Sequence, residues 1–168
     1  MELSVSTALK RTGEQLPFSL TQRFADQQLG GRTVAFNGPI TLEGIFSYDG
    51  KSLLVKGEAS VTLCSVCDRC AESFLEPFRF AFEETFVKAS EYDSDTEAYL
   101  FSGDILCLDE ALLNDLFLSL PIESVCKPDC KGICPVCGTN RNVSDCGCIM
   151  PDVGNPFSVL QASFRNDD

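Results

Sequence analysis

The chain is 168 residues long and 44% hydrophobic, with 13 phenylalanines, ten cysteines, no histidine and a net charge of −12. That length allows one domain, or one domain carrying a small metal-bound lobe; the missing histidine excludes a Ser-His or Cys-His catalytic pair and leaves sulfur, or sulfur with carboxylate, for any metal. Residues 68–115 hold 13 acidic against three basic side chains, a net of −10, while 1–67 balance at six of each and 116–168 sum to −2, a field that repels phosphate backbones and favours a protein partner.

The first twenty residues, MELSVSTALKRTGEQLPFSL, are mixed and polar and do not read as an export signal. No apolar run reaches the roughly 18 residues of a membrane span. The expected compartment is therefore the cytoplasm, where clustered thiols bind metal or do redox work rather than form disulfides. Ser4 to Arg11 predicts a short helix ended by Gly13, and Gln15 to Phe24 a strand bearing Leu16, Phe18 and Leu20, followed by a turn at Gly30-Gly31. From Ile40 the alternation is sustained: Ile40, Leu42, Gly44, Phe46 and Tyr48 against Thr41, Glu43, Ile45 and Ser47. Asp49-Gly50 offers the positive φ angles of a two-residue turn. Leu53, Val55, Gly57, Ala59, Val61 and Leu63 then form the return strand of a half-buried antiparallel hairpin.

That strand runs into Cys64-Ser-Val-Cys67-Asp-Arg-Cys70. Phe78, Phe80, Phe82 and Phe86 alternate beyond it, so Cys67 and Cys70 fall near a turn between strands, as ligands of a zinc ribbon do. A phenylalanine stripe could stack nucleic-acid bases, but at strand spacing, beside Glu83 and Glu84, it reads as core. Residues 88–104 read as an acidic loop in which Glu91, Asp93, Asp95 and Glu97 are candidate contacts for a protein partner. Asp109 is placed to cap a helix from Glu110 to about Leu120, with Leu112, Leu113, Leu116, Phe117 and Leu120 on one stripe and Pro121 ending it. Cys107 reads as a buried free thiol.

Six of the ten cysteines lie between Cys126 and Cys148, as C-x3-C-x3-C-x2-C-x8-C-x-C. Cys134-Pro-Val-Cys137-Gly138 is a metal knuckle: a tight turn aims two sulfurs at one point, and the glycine permits the turn's backbone angles. Cys146 and Cys148 follow across a polar turn, and four converging thiolates match a closed tetrahedral zinc site. Lys127, Lys131 and Arg141 form a local basic group, the candidate RNA contact on an acidic chain.

Cys67-Asp-Arg-Cys70, the Leu118-Ser-Leu-Pro121 helix end, Cys130-Lys-Gly-Ile-Cys134-Pro-Val-Cys137-Gly-Thr-Asn and the ending Asn155-Pro156-Phe157-Ser158-Val159-Leu160 together resemble the YceD family, the large ribosomal RNA subunit accumulation proteins. The resemblance covers about residues 40 to 164, with Cys64 outside its pattern. It implies a non-enzymatic factor of ribosome biogenesis, often described as binding nucleic acid.

Two partitions of the thiols are open. Cys67 and Cys70 can join Cys126 and Cys130 while Cys134, Cys137, Cys146 and Cys148 close a second site; or the two knuckles, Cys67/Cys70 and Cys134/Cys137, can make one ribbon site. The two-site partition is preferred, with Zn2+ as the ion. The spacing of Cys130, Cys134 and Cys137 also occurs in radical iron–sulfur enzymes, but those need a large barrel with the motif near its start. Thiol redox chemistry lacks its βαβ surroundings. The expected fold is α+β: an antiparallel sheet with a covering helix in residues 1–125, and a zinc-binding lobe with a C-terminal tail packed on it in residues 126–168. The expected role is non-enzymatic, binding a ribosomal protein or a large-subunit precursor, with RNA contacted either directly or through that partner. The alternatives are an interaction adaptor outside ribosome assembly and a thiol redox protein.

Overall fold

Sustained alternation sets the long elements of this chain, and tight reversals at Gly50 and at Cys67–Ala71 separate them. The computed structural model describes residues 1–91 and 98–149. Strand β1 (Glu2–Ser4) leads into a short helix α1 (Ser6–Lys10), and β2 (Leu16–Gln22) follows. Strands β3 (Gln27–Leu29) and β4 (Arg32–Phe36) form a small hairpin around Gly30 and Gly31, both at positive φ. Then come β5 (Ile40–Tyr48), β6 (Ser52–Val66) and β7 (Ser73–Lys88). Past a 3-10 turn at Ala89–Glu91 lie β8 (Tyr99–Phe101), β9 (Ile105–Cys107) and helix α2 (Asp109–Ser119).

Strand β6 is the axis of the sheet. On one edge it pairs antiparallel with β7 along its whole length, from Ser52 opposite Val87 to Val66 opposite Ser73. On the other edge it pairs with β5 only as far as Ser60, and then with β4 at Leu63 and Cys64. Strand β2 lies outside β5, and β8 adds parallel to the end of β7. A separate two-stranded ladder joins β1 to β9. The β6–β7 ribbon therefore runs on beyond the body of the sheet, and its tip is the Cys67–Cys70 turn.

One face of the sheet is core and the other is solvated, as the period-two pattern requires. Ile40, Leu42, Phe46, Leu53, Val55, Val61, Phe80, Phe82 and Phe86 are all buried. Ala111, Leu112 and Leu116 of α2 are buried in the same cluster, and α2 lies against β7. Each large side chain taken from water contributes about 1.5–3 kcal/mol, so this core is a main source of the sheet's stability. The phenylalanine stripe thus belongs to the interior. On the opposite face Lys56 meets Glu83 at 2.6 Å and Arg79 meets Glu58 at 3.3 Å, both in solvent-exposed cross-strand pairs.

Gly44 of β5 stands opposite Gly57 of β6, which stands opposite Phe82 of β7. A Cβ on Gly44 would collide with the Lys56 carbonyl, and one on Gly57 with the Glu43 carbonyl. Two facing glycines let β5 and β6 approach more closely here than side chains permit.

Several expectations are corrected. The β5–β6 turn has Gly50 (φ 103°) and Lys51 at its centre, not Asp49-Gly50. Asp49 stays outside the positive-φ region and accepts the Lys51 and Ser52 N–H groups at 2.8 and 2.7 Å. Asp109 does not cap α2: Leu108 is the N-cap residue, without a side-chain hydrogen bond, and the Asp109 carboxylate is engaged by the Met1 amino group and Gln22. Cys107 is exposed, because period two along β9 turns Leu106 inward and Cys107 outward. Residues 88–104, expected as an acidic loop, include the last residue of β7, the 3-10 turn and β8, and β9 begins directly after them. No helix among the described residues is long and apolar enough to cross a membrane.

Candidate metal centre

The end of the β6–β7 ribbon is a tight reversal, Cys67-Asp-Arg-Cys70. The Cys67 N–H donates to the Glu72 carbonyl at 2.9 Å, and the Ala71 N–H to the Cys67 carbonyl at 2.8 Å. This geometry turns backbone N–H groups toward the Cys67 sulfur. The N–H of Cys126, then those of Cys70 and Arg69, hold the Cys67 thiol down at about 6, against the opposing effect of burial.

Cys126 and Cys130 arrive from the segment after α2. That helix stops where Leu120 turns extended (ψ 137°) before Pro121. The chain is then clamped to the knuckle. The Asp68 N–H donates to the Ser124 carbonyl at 2.9 Å, and the Ser124 N–H to Asp68 Oδ2 at 2.7 Å. Arg69 Nε donates to Glu123 Oε1 at 2.9 Å. Arg32 of β4 reaches the Ser124 hydroxyl at 3.2 Å. Cys67, Cys70 and Cys130 are buried, with Phe74, Val125 and Cys126 packed against them.

The second knuckle repeats the first. The Cys134 N–H donates to the Thr139 carbonyl and the Gly138 N–H to the Cys134 carbonyl, both at 2.8 Å. The N–H groups of Cys137 and Val136 lower the Cys134 thiol. The hydroxyl of Thr139, then its N–H, holds Cys137 at about 6. Cys146 and Cys148 return across the 139–145 turn, where the Gly147 N–H donates to Asp145 Oδ1 at 3.1 Å. This cluster is more open than the first: Cys134 is buried, Cys137 exposed, and Cys146 and Cys148 half-buried.

The structure therefore brings together Cys67, Cys70, Cys126 and Cys130 in one tetrad and Cys134, Cys137, Cys146 and Cys148 in another, with all sulfurs of a tetrad within 4.8 Å of one another. All ten cysteines are free thiols, Cys64 and Cys107 lying outside both tetrads. The Cys67–Cys130 and Cys70–Cys126 sulfurs are 3.8 and 3.7 Å apart. A disulfide needs about 2.05 Å, whereas a tetrahedron with metal–sulfur bonds of about 2.3 Å has edges of about 3.8 Å. Charge points the same way. Burial, then the neighbouring thiols, pushes Cys126 up to about 12; Cys137 and Cys146, then burial, push Cys148 up to about 12. Four sulfurs so close ionise together only around a cation, so each donor set could hold a metal ion.

Lys131 and Arg141 are exposed and line one shallow depression of about 220 Å³ with Asn142, Val143, Ser144 and Asp145. Lys127 is exposed but does not line it. Glu91 ends the 3-10 turn; Asp93, Asp95 and Glu97 lie outside the described residues, as does the Asn155–Leu160 stretch. Sequence reasoning missed Asn142, whose Nδ2 donates to the Cys130 sulfur at 3.3 Å. It also missed Gly132, at φ 69° beside the Arg69 carbonyl that accepts the Ile133 N–H. Both residues are legible as turn formers, but nothing in their spacing names the Cys130 sulfur 12 residues before Asn142 or the Arg69 carbonyl beside Gly132.

The family model described as "Large ribosomal RNA subunit accumulation protein YceD" matches residues 55–162, more than half of the chain, from within β6 through both tetrads. An uncharacterized protein of Mycobacterium tuberculosis (strain ATCC 25618 / H37Rv) is 27% identical over 92 residues, 52% of this chain and 44% of the relative. An uncharacterized protein of Mycobacterium leprae (strain TN) is 24% identical over 115 residues, 64% of this chain and 51% of the relative. The matches thus span about half the length of these relatives. No solved structure matches the chain.

Proposed function

Because the chain belongs to the YceD family of large ribosomal RNA subunit accumulation proteins, we propose that it is a non-enzymatic ribosome-biogenesis factor, working in the cytoplasm by binding rather than turnover. The observation that carries this reading is the pair of four-sulfur tetrads inside the family-matched residues. A tetrahedral ion held by four protein sulfurs keeps no open position for substrate, which is the character of a structural centre.

Both tetrads are assigned Zn2+, with the eight cysteines as ligands. Zinc supplies a fixed tetrahedral cross-link and no redox chemistry. Residues 126–149 need it, because Ile133, Val136, Val143 and Ile149 are exposed and little apolar surface is buried there. Residues 126–168 then act as a lobe carried on the sheet unit of residues 1–125.

Charge divides the surface between two kinds of partner. Residues 68–115, net −10, attract the lysines and arginines of a ribosomal protein. Direct RNA contact is confined to the lobe around Lys127, Lys131 and Arg141, where two four-thiolate zinc centres, each about −2, offset the local bases. RNA is therefore reached mainly through protein.

A pull-down of tagged protein from lysate, with and without nuclease, tests this beside RNA binding at physiological salt. The expected result is co-purification with an early large-subunit component that survives nuclease, reduced when Glu91, Asp93, Asp95 and Glu97 are neutralised, and weak binding to naked RNA. Tight, salt-sensitive RNA binding abolished by Lys127→Ala, Lys131→Ala and Arg141→Ala overturns the indirect route. Capture of partners unrelated to the large subunit favours the adaptor reading instead.

A further inference from the structure

Asn142 belongs to neither tetrad, yet it sits in a loop of the second and its side chain reaches a sulfur of the first. It lies in the loop between Cys137 and Cys146 of the second tetrad, and its Nδ2 donates to the sulfur of Cys130, in the first, at 3.3 Å. Its Oδ1 accepts the Lys131 N–H at 2.9 Å, and its own N–H donates to Asn140 Oδ1 at 2.9 Å. Asn140 Nδ2 donates to Glu72 Oε1 at 3.2 Å, just behind the first knuckle. The Arg141 N–H donates to the Gly132 carbonyl at 2.9 Å. The loop is thus a strap laid over the first tetrad, and its two ends are held by sulfurs of the second. Among the described residues it also brings a side-chain amide donor to a cysteine sulfur, where an N–H stabilises the charged, metal-binding form of that ligand.

We propose that Asn142 couples the two metal centres: an ion at Cys134, Cys137, Cys146 and Cys148 fixes the loop, holds the Asn142 amide on Cys130, and so tightens metal binding at Cys67, Cys70, Cys126 and Cys130. By linkage the first ion tightens the second by the same factor. The inference rests on both tetrads being metal centres. Hydrogen-bond donors to metal ligands are worth about 10–100-fold in affinity, so Asn142 should account for a change of that size. Asn142 is a positioning residue, acting on the metal through Cys130.

Two substitutions separate coupling from loop anchoring. Asn142→Asp keeps an oxygen for the Lys131 N–H but puts a carboxylate where the donor was; Asn142→Ala removes both. The full chain is loaded with zinc and titrated with a competing chelator, and the Cys146→Ser chain, left with one intact tetrad, identifies the release phase of the first centre. Cobalt loading repeats the titration with thiolate bands as a spectroscopic readout. Asn142→Asp and Asn142→Ala should both release the first ion at roughly 10–100-fold weaker competition, and adding Asn142→Asp to Cys146→Ser should cost little more than Cys146→Ser alone. Wild-type release by Asn142→Asp, or full additivity of the two changes, overturns the coupling while two ions remain bound. A wild-type chain that binds no metal overturns the two-centre reading beneath it.

Discussion

Ala71 and Gly138 occupy the same place in two copies of one turn. Each follows the second cysteine of a C-x2-C pair, each is left-handed (φ 58° and 75°), and each donates its N–H to the carbonyl of the first cysteine at 2.8 Å. Ala71 is the non-glycine residue at positive φ among the described residues. A side chain in that region costs about 1–2 kcal/mol, so the ribbon knuckle carries a strain that the lobe knuckle avoids.

Exchanging the two residue types should therefore have opposite effects. Ala71→Gly is expected to stabilise the metal-loaded protein by about 0.5–1 kcal/mol, after the added freedom of the unfolded chain is subtracted. Gly138→Ala should destabilise by about 1 kcal/mol, a conformational cost alone, since nothing lies within 4 Å of the added Cβ. Gly132→Ala should cost more, because its Cβ would meet the Arg69 carbonyl at 2.8 Å. Denaturant unfolding measures all three; destabilisation by Ala71→Gly would refute the strain.

The two tetrads close loops of different size. Cys70 and Cys126 are 56 residues apart, whereas Cys137 and Cys146 are nine apart. Loop-closure entropy scales as (3/2)RT ln n, which makes the longer closure worth about 1.6 kcal/mol more. Cys70→Ser should accordingly lower thermal stability more than Cys146→Ser and loosen the segment after α2. Equal losses from both would place the two closures on the same footing and contradict this ranking.

Glu84 faces the core side of β7 between Phe82 and Phe86, against Asp115 of α2. Burial, then the Asp115 carboxyl beside it, raises Glu84 to about 7, and Asp115 is raised as well, first by burial. A carboxyl whose folded value is raised contributes stability below its unfolded value, and that contribution is lost as pH rises through the folded value. Unfolding measured between pH 4 and 8.5 should therefore show stability falling from the ordinary glutamate value of 4.5 to about 7 and levelling above it. Glu84→Gln should flatten that fall; an unchanged profile would show that the carboxyl pair does not set it.

The parts of this fold legible in the sequence are those where one residue type repeats often enough to fix a period. Nine residues from Ile40 to Tyr48 and the phenylalanines of β7 do so, and their faces follow. The C-x2-C knuckles are legible because two sulfurs aimed at one point demand a tight turn. Strands β8 and β9 are three residues each, too short for a period, and β8 pairs parallel with a strand that has already passed. The exposure of Cys107 is hidden from the sequence for the same reason, since it depends on β9 pairing with β1. Asp109 has the chemistry of a cap but is drawn to a partner 108 residues away. Asn142 reads as a turn residue, and only the folded chain shows the sulfur it reaches.

If the proposed function holds, both four-cysteine clusters at the end of the ribbon bind a metal ion. Elemental analysis of the purified chain, expressed with metals available and read beside its visible spectrum, tests this most directly. The expected result is close to two zinc ions per chain and a colourless protein. A single zinc would mean that the two knuckles share one site, and a brown protein containing iron, with sulfur-to-iron absorption, would contradict the assignment outright.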